Sequence, residues 1–224
     1  MKILLIGGSG NLGRELLKID SNIFAPNSNI LNITSLKSLD SFFLKNNFDT
    51  VINAAAITDT VRCETDISAC ISTNIIGAAN LMFMQSIYKF KLVYISTDYV
   101  FDGRNGSYKD SDPINPISNY AKSKASAELA VRMNKDNLVI RTSFFPSEFK
   151  HKAAFFDQYT TKDFVDIIAP IVYEKVVSGE VGVTHIGTKR DTVYNKVKER
   201  IPDIKKISRK DVEGVYIPYD TSLE

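Results

Sequence analysis

The chain has 224 residues, 44% of them hydrophobic and 24% charged, with a formal charge of +2. That length suffices for one sizeable core, or a core with a small appended lobe. The near-neutral balance gives no electrostatic basis for a nucleic-acid or membrane surface.

The basic stretch Lys205, Lys206, Arg209, Lys210 is interrupted by Ile207 and Asp211 and reads as a solvated face. Cys63 and Cys70 lie seven apart. On a single helix that is about two turns, beyond bridging reach. Reduced thiols in a cytoplasmic protein are therefore expected. His151 and His185 are isolated, so no metal site is expected. The opening MKILLIGGSG puts a lysine before an apolar run, but the run is short and cut by glycines. Neither a signal peptide nor a membrane-spanning stretch is expected.

In chain order, Lys2–Ile6 reads as a buried strand that stops at glycine, and Asn11–Ile19 has helical spacing with Leu12, Leu16 and Leu17 on one face. Ile23–Ala25 reads as a short second strand ended by Pro26. Ser35–Asn46 carries a helical stripe of Leu36, Leu39, Phe42 and Phe43. A strand is expected over Thr50–Asn53, a long helix over Thr65–Lys89 and a strand over Lys91–Ser96. A polar loop (Asp102–Pro116), a helix (Ser118–Asn134) and a strand (Leu138–Thr142) follow. This alternation argues an α/β fold, a parallel sheet with helices on both faces. Beyond it the pattern weakens to a helix over Asp163–Val177, a strand over Gly182–Ile186 and a helix over Thr192–Arg200. Two parts are expected: a parallel-sheet domain over 1–145, and a small lobe over 146–224 at the carboxyl edge of the sheet, where ligands bind in such folds.

The run Gly7-Gly8-Ser9-Gly10-Asn11-Leu12-Gly13 lies between the first strand and first helix and fits both G-x-G-x-x-G and G-x-x-G-x-x-G. Glycine there allows an unusual turn, close backbone approach to a pyrophosphate, and tight strand–helix packing. The helix N-terminus would face the phosphates. The second strand ends in Pro26-Asn27-Ser28, without the acidic residue that commonly holds the adenosine ribose. This permits a 2′-phosphate, although no arginine adjoins it.

Tyr120 and Lys124 stand at i, i+4 on one helical face. A phenol titrates near about 10, and a neighbouring ammonium is expected to lower it enough for general acid–base work. Ser96 and Thr97 end the KLVYIS strand, so their hydroxyls fall at the carboxyl edge of the sheet, where one can hold a substrate carbonyl.

The segments GGSGNLG (7–13), NAAAIT (53–58), STDYVFDG (96–103), NPISNYAKSK (115–124) and IRTSF (140–144) resemble an extended short-chain dehydrogenase/reductase of the dTDP-4-dehydrorhamnose reductase family. The resemblance implies a Rossmann-type doubly wound sheet with a shortened C-terminal substrate lobe. It also implies NADP or NAD as cofactor and a nucleotide-linked keto sugar as substrate. Gly7, Gly10, Asn11, Leu12 and Gly13 would hold the pyrophosphate. Asn27 and Ser28 would meet the adenosine ribose, and Ala54, Ala55 and Ala56 would line the cofactor. Ser96 would lie near the nicotinamide. Thr97, Tyr120 and Lys124 would be the catalytic set, with Tyr120 and Lys124 also touching the cofactor, and Asn74 would support the lysine. Thr58, Asp98, Tyr99 and Phe144 would face the sugar. Tyr99 follows Asp98 where sugar-nucleotide 4,6-dehydratases carry glutamate, so the dehydratase carboxylate is missing. The late segment Pro218–Leu223 resembles the family's substrate loop without its usual arginine. The same parts fit the reverse oxidation, an epimerase, or a non-catalytic dinucleotide-binding protein such as the regulatory subunit of methionine adenosyltransferase. A homodimer is a further expectation; neither nucleic acid nor membrane is an expected partner.

Overall fold

Alternation along the first strand dictates the layering. In β1 (Ile3–Ile6), Ile3 and Leu5 enter one buried cluster while Leu4 and Ile6 enter another on the opposite face. The computed structural model describes every residue from 1 to 224 except Glu213 and Val215. β1 pairs in parallel with β2 (Thr50–Asn53), then β3 (Lys91–Ser96), β4 (Leu138–Thr142) and finally β9 (Gly182–Ile186). Nearly every side chain of β1 to β4 is buried, as parallel strands covered on both faces require. α1 (Asn11–Ile19) and α7 (Val165–Val177) cover one face; α2 (Leu36–Phe43), α5 (Gly77–Tyr88) and α6 (Asn119–Val131) cover the other. An aromatic stack anchors the second layer: Phe43 is 1% exposed, with its ring centroid 5.0 Å from Phe90 and 5.5 Å from Tyr88.

Four expectations are corrected. The second strand reduces to a single parallel bridge between Phe24 and Leu4, because Pro26 removes the next donor. The helix expected over Thr65–Lys89 starts at Ile67, behind a separate short helix, and carries a π-helical turn. Asp59 accepts from Arg62 N to start α3 (Thr60–Thr65), and Asp66 accepts from Ala69 N to start α4 (Ile67–Cys70). A π-helical segment, Ile71–Ile76, then joins α4 to α5. This continuous run, Ile67–Tyr88, is 22 residues long with a mean hydropathy of 1.5, so a helix of membrane-spanning length and apolarity is present after all. Its Asn74, Asn80 and Gln85 are buried against protein partners, Asn80 on Ile33 O and Gln85 on Phe90 O, which is the behaviour of a core helix.

The fourth correction concerns the lobe. Residues 146–224 do not gather into one appended unit, since α7 and β9 complete the layers of the main sheet. What remains is a satellite of short strands. β5 (Phe144–Phe145) pairs with β8 (Asp163–Phe164), β6 (Ala153–Phe155) with β11 (Lys205–Ile207), and β7 (Tyr159–Thr160) with β10 (Asp191–Thr192). α8 (Val193–Lys198) packs on them through Val193 and Val197. The C-terminal residues Asp220–Ser222 are buried, with Asp220 held by Arg190.

Phe43→Ala should cost about 3–5 kcal/mol, the usual price of emptying a buried aromatic site. Urea unfolding checks it; a loss below about 1 kcal/mol would show that the stack does not hold α2 to the sheet.

Candidate active site

The glycine turn takes its shape from backbone contacts. Gly7 adopts φ +93°, and a Cβ there would lie 2.7 Å from the backbone of Ala54 and Ala55 at the end of β2. At Gly13 a Cβ would fall 2.3 Å from Gly7 O. These two glycines are demanded by the chain itself. Gly10 differs: its φ is −71°, and a Cβ would meet only Gly7 O at 3.2 Å, with otherwise open space above the start of α1. A bare backbone facing open space at a helix N-terminus fits a phosphate. Asn11 is exposed there, Leu12 is buried in the core, and Ala54, Ala55 and Ala56 are half-buried beside the turn. Asn27 Oδ1 accepts from Asn29 N and Ile30 N within its own turn, and both Asn27 and Ser28 are exposed. Arg14, exposed on α1, donates to Ser9 O and Asn11 Oδ1, so a guanidinium lies over the turn where none was expected.

Tyr120 and Lys124 lie on α6, whose N-terminus is capped by Ser118. Lys124 is 3% exposed; its Nζ donates to Ile95 O at 2.6 Å and sits 4.1 Å from the Tyr94 ring centroid. Burial pushes this ammonium down to about 7, against the pull of the Glu128 carboxylate. The expected lowering of the Tyr120 phenol is therefore not found. Burial raises it, Asp98 and Tyr99 push the same way, and only the hydrogen bond with Thr97 opposes them. A lysine whose charge is disfavoured by burial is a weak source of compensation. Tyr120 thus holds its proton as a phenol.

Around this pair the site divides into an inner and an outer shell of residues. Thr97 is buried; its hydroxyl accepts from Tyr99 N and donates to Asp98 Oδ1. Asp98 was expected to face the sugar, but it is 2% exposed and takes hydroxyl protons from Thr97 and Ser143, so it backs the site from inside. Ser96 likewise turns inward and donates to Glu128 Oε2 at 2.8 Å. Tyr99 remains half-exposed, packed edge-on against Tyr120 at 6.3 Å. Phe144 packs against the core beside α7, and Thr58 is exposed between β2 and α3. Asn74 lies in the π-helical segment; it pairs with both backbone groups of Ile57 and donates to Ser123 Oγ, next to Lys124. Beside Tyr99 opens a cavity of about 760 Å³, walled by α3, by Phe155 and Gln158 of the satellite, and by Tyr216–Pro218.

Four residues of this arrangement had escaped notice. Glu128, fully buried, binds the equally buried Arg141 at 2.6 Å and accepts from Ser96, which joins α6 to β3 and β4. The signal was present: Arg141 interrupts the apolar strand LVIRT, and a buried charge requires a partner. Ser143 and Lys162 carried no such signal. Lys162 reaches in from the satellite, 4.9 Å from the Tyr99 ring centroid. Burial works against its charge, but Tyr99 and Asp98 outweigh it and leave Lys162 above its ordinary value.

The sequence pattern described as the RmlD substrate binding domain matches residues 1–170. The chain belongs to that family. Among curated RmlD-like relatives, dTDP-4-dehydrorhamnose reductase of Aggregatibacter actinomycetemcomitans is 33% identical over 155 residues, covering 66% of this chain and 53% of the relative. The match thus spans about half the length of that enzyme. Among solved structures, a dTDP-4-dehydrorhamnose reductase from Clostridium acetobutylicum superposes with a TM-score of 0.90 at 26% identity, covering 100% of this chain and 90% of that one. The fold is also that of a dTDP-4-dehydrorhamnose reductase from Bacillus anthracis in complex with NADP, with a TM-score of 0.88 at 22% identity and coverage of 100% and 91%. The RmlD-type sheet is accordingly the frame that carries this site.

Glu128→Gln leaves Arg141 buried without a counter-charge and should cost about 3–5 kcal/mol of stability. Denaturant unfolding of the two proteins checks this; equal midpoints would show that the pair does not clamp α6.

Proposed function

We propose that the chain is an NAD(P)H-dependent reductase of a keto group on a nucleotide-linked sugar, of the dTDP-4-dehydrorhamnose reductase kind. The observation that carries the reading is the Tyr120 phenol, raised by burial and packed edge-on against Tyr99, which lines a cavity large enough for a sugar nucleotide. The dinucleotide-bound and dTDP-sugar reductases that share the fold support the same assignment.

Two features fit the dinucleotide. The space above Gly10 takes a phosphate without displacing protein atoms. Thr142 Oγ1, at the carboxyl end of β4, is buried with no partner among the described residues and is free to bond a ligand. Gly7, Gly10, Asn11 and Gly13 would hold the pyrophosphate, with Ala54, Ala55 and Ala56 beside it. Asn27 and Ser28 present no carboxylate to a 2′-phosphate, and Arg14 supplies a cation over the turn; both favour NADP over NAD. When bound, the reduced dinucleotide supplies the hydride.

The chain's own residues supply the rest. Thr97 gives its hydroxyl proton to Asp98 in the free chain; with substrate bound, that proton would turn to the substrate carbonyl and hold it against Tyr120. Tyr120 gives its proton to the carbonyl oxygen as negative charge develops there. Burial raises the phenol, so the proton is retained until that moment. Lys124, on the same helical face as Tyr120, meets the ribose and would offset the phenolate left behind. Tyr99 and Thr58 face the sugar, with Phe144 at the edge.

The test is oxidation of NADPH by a dTDP-4-keto-6-deoxy sugar, followed by absorbance. Turnover supports the assignment, and tight NADPH binding without turnover would overturn it. Tyr120→Phe should lower the single-turnover rate by roughly 10²–10⁴-fold while leaving NADPH affinity nearly unchanged; an undiminished rate would remove the tyrosine from the mechanism. Gly10→Val places a branched side chain in the phosphate space and should abolish NADPH binding in calorimetry, whereas equal affinity would place the pyrophosphate elsewhere.

A further inference from the structure

The two cysteines, expected to lie too far apart, are in contact. The break at Asp66 folds α3 back against α4, which brings Cys70 Sγ to 2.9 Å from Cys63 Sγ. Both are free thiols, 0% and 2% exposed, and neither takes part in the reduction described above. The surroundings differ for the two sulfurs. Cys70 Sγ lies 3.5 Å from Asn74 Nδ2, whose two hydrogens go to Ile57 O and Ser123 Oγ. Cys63 Sγ instead donates to Ile57 O at 3.6 Å, an acceptor that favours the thiol.

We propose that Cys63 and Cys70 form a redox pair that a hydroperoxide closes to an intrachain disulfide, tying α3 to α4 across the Asp66 break. Cys70, as thiolate, attacks one oxygen of ROOH; the O–O bond breaks, ROH leaves with a proton, and Cys70 becomes a sulfenic acid. The Cys63 sulfur then displaces the hydroxyl, which leaves as water with the Cys63 proton. Two thiols are oxidised, and the peroxide is reduced to ROH and water. Closing from the present contact to a bonded distance requires a shift of about 0.9 Å, which a six-residue helix between two loops can absorb. Burial pushes the Cys63 thiol up to about 12, in keeping with its role as the second, resolving sulfur.

The bridge would act on the site through α3. Thr60, Val61, Glu64 and Thr65 of that helix wall the cavity, and Glu64 accepts from Asn119 N, one residue before Tyr120. A cross-link therefore stiffens the substrate-side wall and the start of the catalytic helix together, while the glycine turn is untouched.

The test exploits the cleavage map. Trypsin releases Cys63–Lys89 as one peptide, with both cysteines and no internal lysine or arginine. The folded chain is exposed to hydrogen peroxide, denatured in iodoacetamide and digested. The expected peptide is lighter by two hydrogens than the reduced, unalkylated form and carries no alkyl group. Dithiothreitol should restore two alkylatable thiols. The oxidised protein should melt roughly 5 °C higher than the reduced one, as expected for a short closed loop in a chain of this size. In Cys70→Ala, Cys63 should stay alkylatable under the same exposure, which keeps the assignment of the attacking sulfur open to failure. Two alkylated thiols after peroxide, oxygen addition without hydrogen loss, or disulfide-linked dimers would each overturn the proposal.

Discussion

A carboxylate with no access to water holds the catalytic helix in place. Glu128 takes Arg141 from β4 and Ser96 from β3 on its two oxygens, and these residues face each other in the sheet register. An anion in such surroundings is costly unless every lone pair is used. The arrangement therefore tolerates little sliding of α6 along the sheet. Lys124 and Tyr120 are about one and two turns upstream on that helix, so their positions relative to the strand ends follow from the clamp. Two further links, Tyr94 to Lys124 O and Lys124 to Ile95 O, are possible because the helix is already seated.

The same burial that makes the clamp necessary sets the protonation of the site. Enclosure penalises charge on both members of the pair, raising the phenol and lowering the ammonium. Asp98 adds negative charge inside the site, but it is satisfied by the hydroxyls of Thr97 and Ser143 and so acts as a fixed support. The result favours proton donation over proton abstraction. That polarity is a property of the walls, and it does not follow from the Tyr-x-x-x-Lys spacing.

The sheet was readable because its signals are local. Apolar runs of strand length, bounded by glycine or polar residues, gave β2, β3, β4 and β9 their limits. The glycine turn was readable because the need at Gly7 and Gly13 is steric. What escaped depended on contacts distant in sequence. Asp59 and Asp66 are ordinary polar residues until their caps are seen, so the short helix α3 ahead of the long one was not expected. The contact of Cys63 with Cys70 was missed for the same reason. Ser96 was assigned outward because it ends a strand at the ligand edge, and Asp98 because the family resemblance implies it, yet Glu128 of α6 engages the first and the hydroxyls of Thr97 and Ser143 the second. The pairing of Glu128 with Arg141 could have been read from an arginine set in an apolar strand.

The π-helical segment at Ile71–Ile76 has a consequence for anyone drawing this helix as a wheel. An i→i+5 turn advances each residue by a smaller angle than an α turn does, so the angular phase slips across the segment. A projection begun at Ile67 with a constant step assigns the residues beyond Gly77 to the wrong side. The slip separates two sectors: Asn74 is aimed at Ile57 and Ser123, while Asn80 and Gln85 are directed to Ile33 and Phe90. Deleting one residue between 71 and 76 would restore a regular spiral and rotate the downstream half out of register with the sheet.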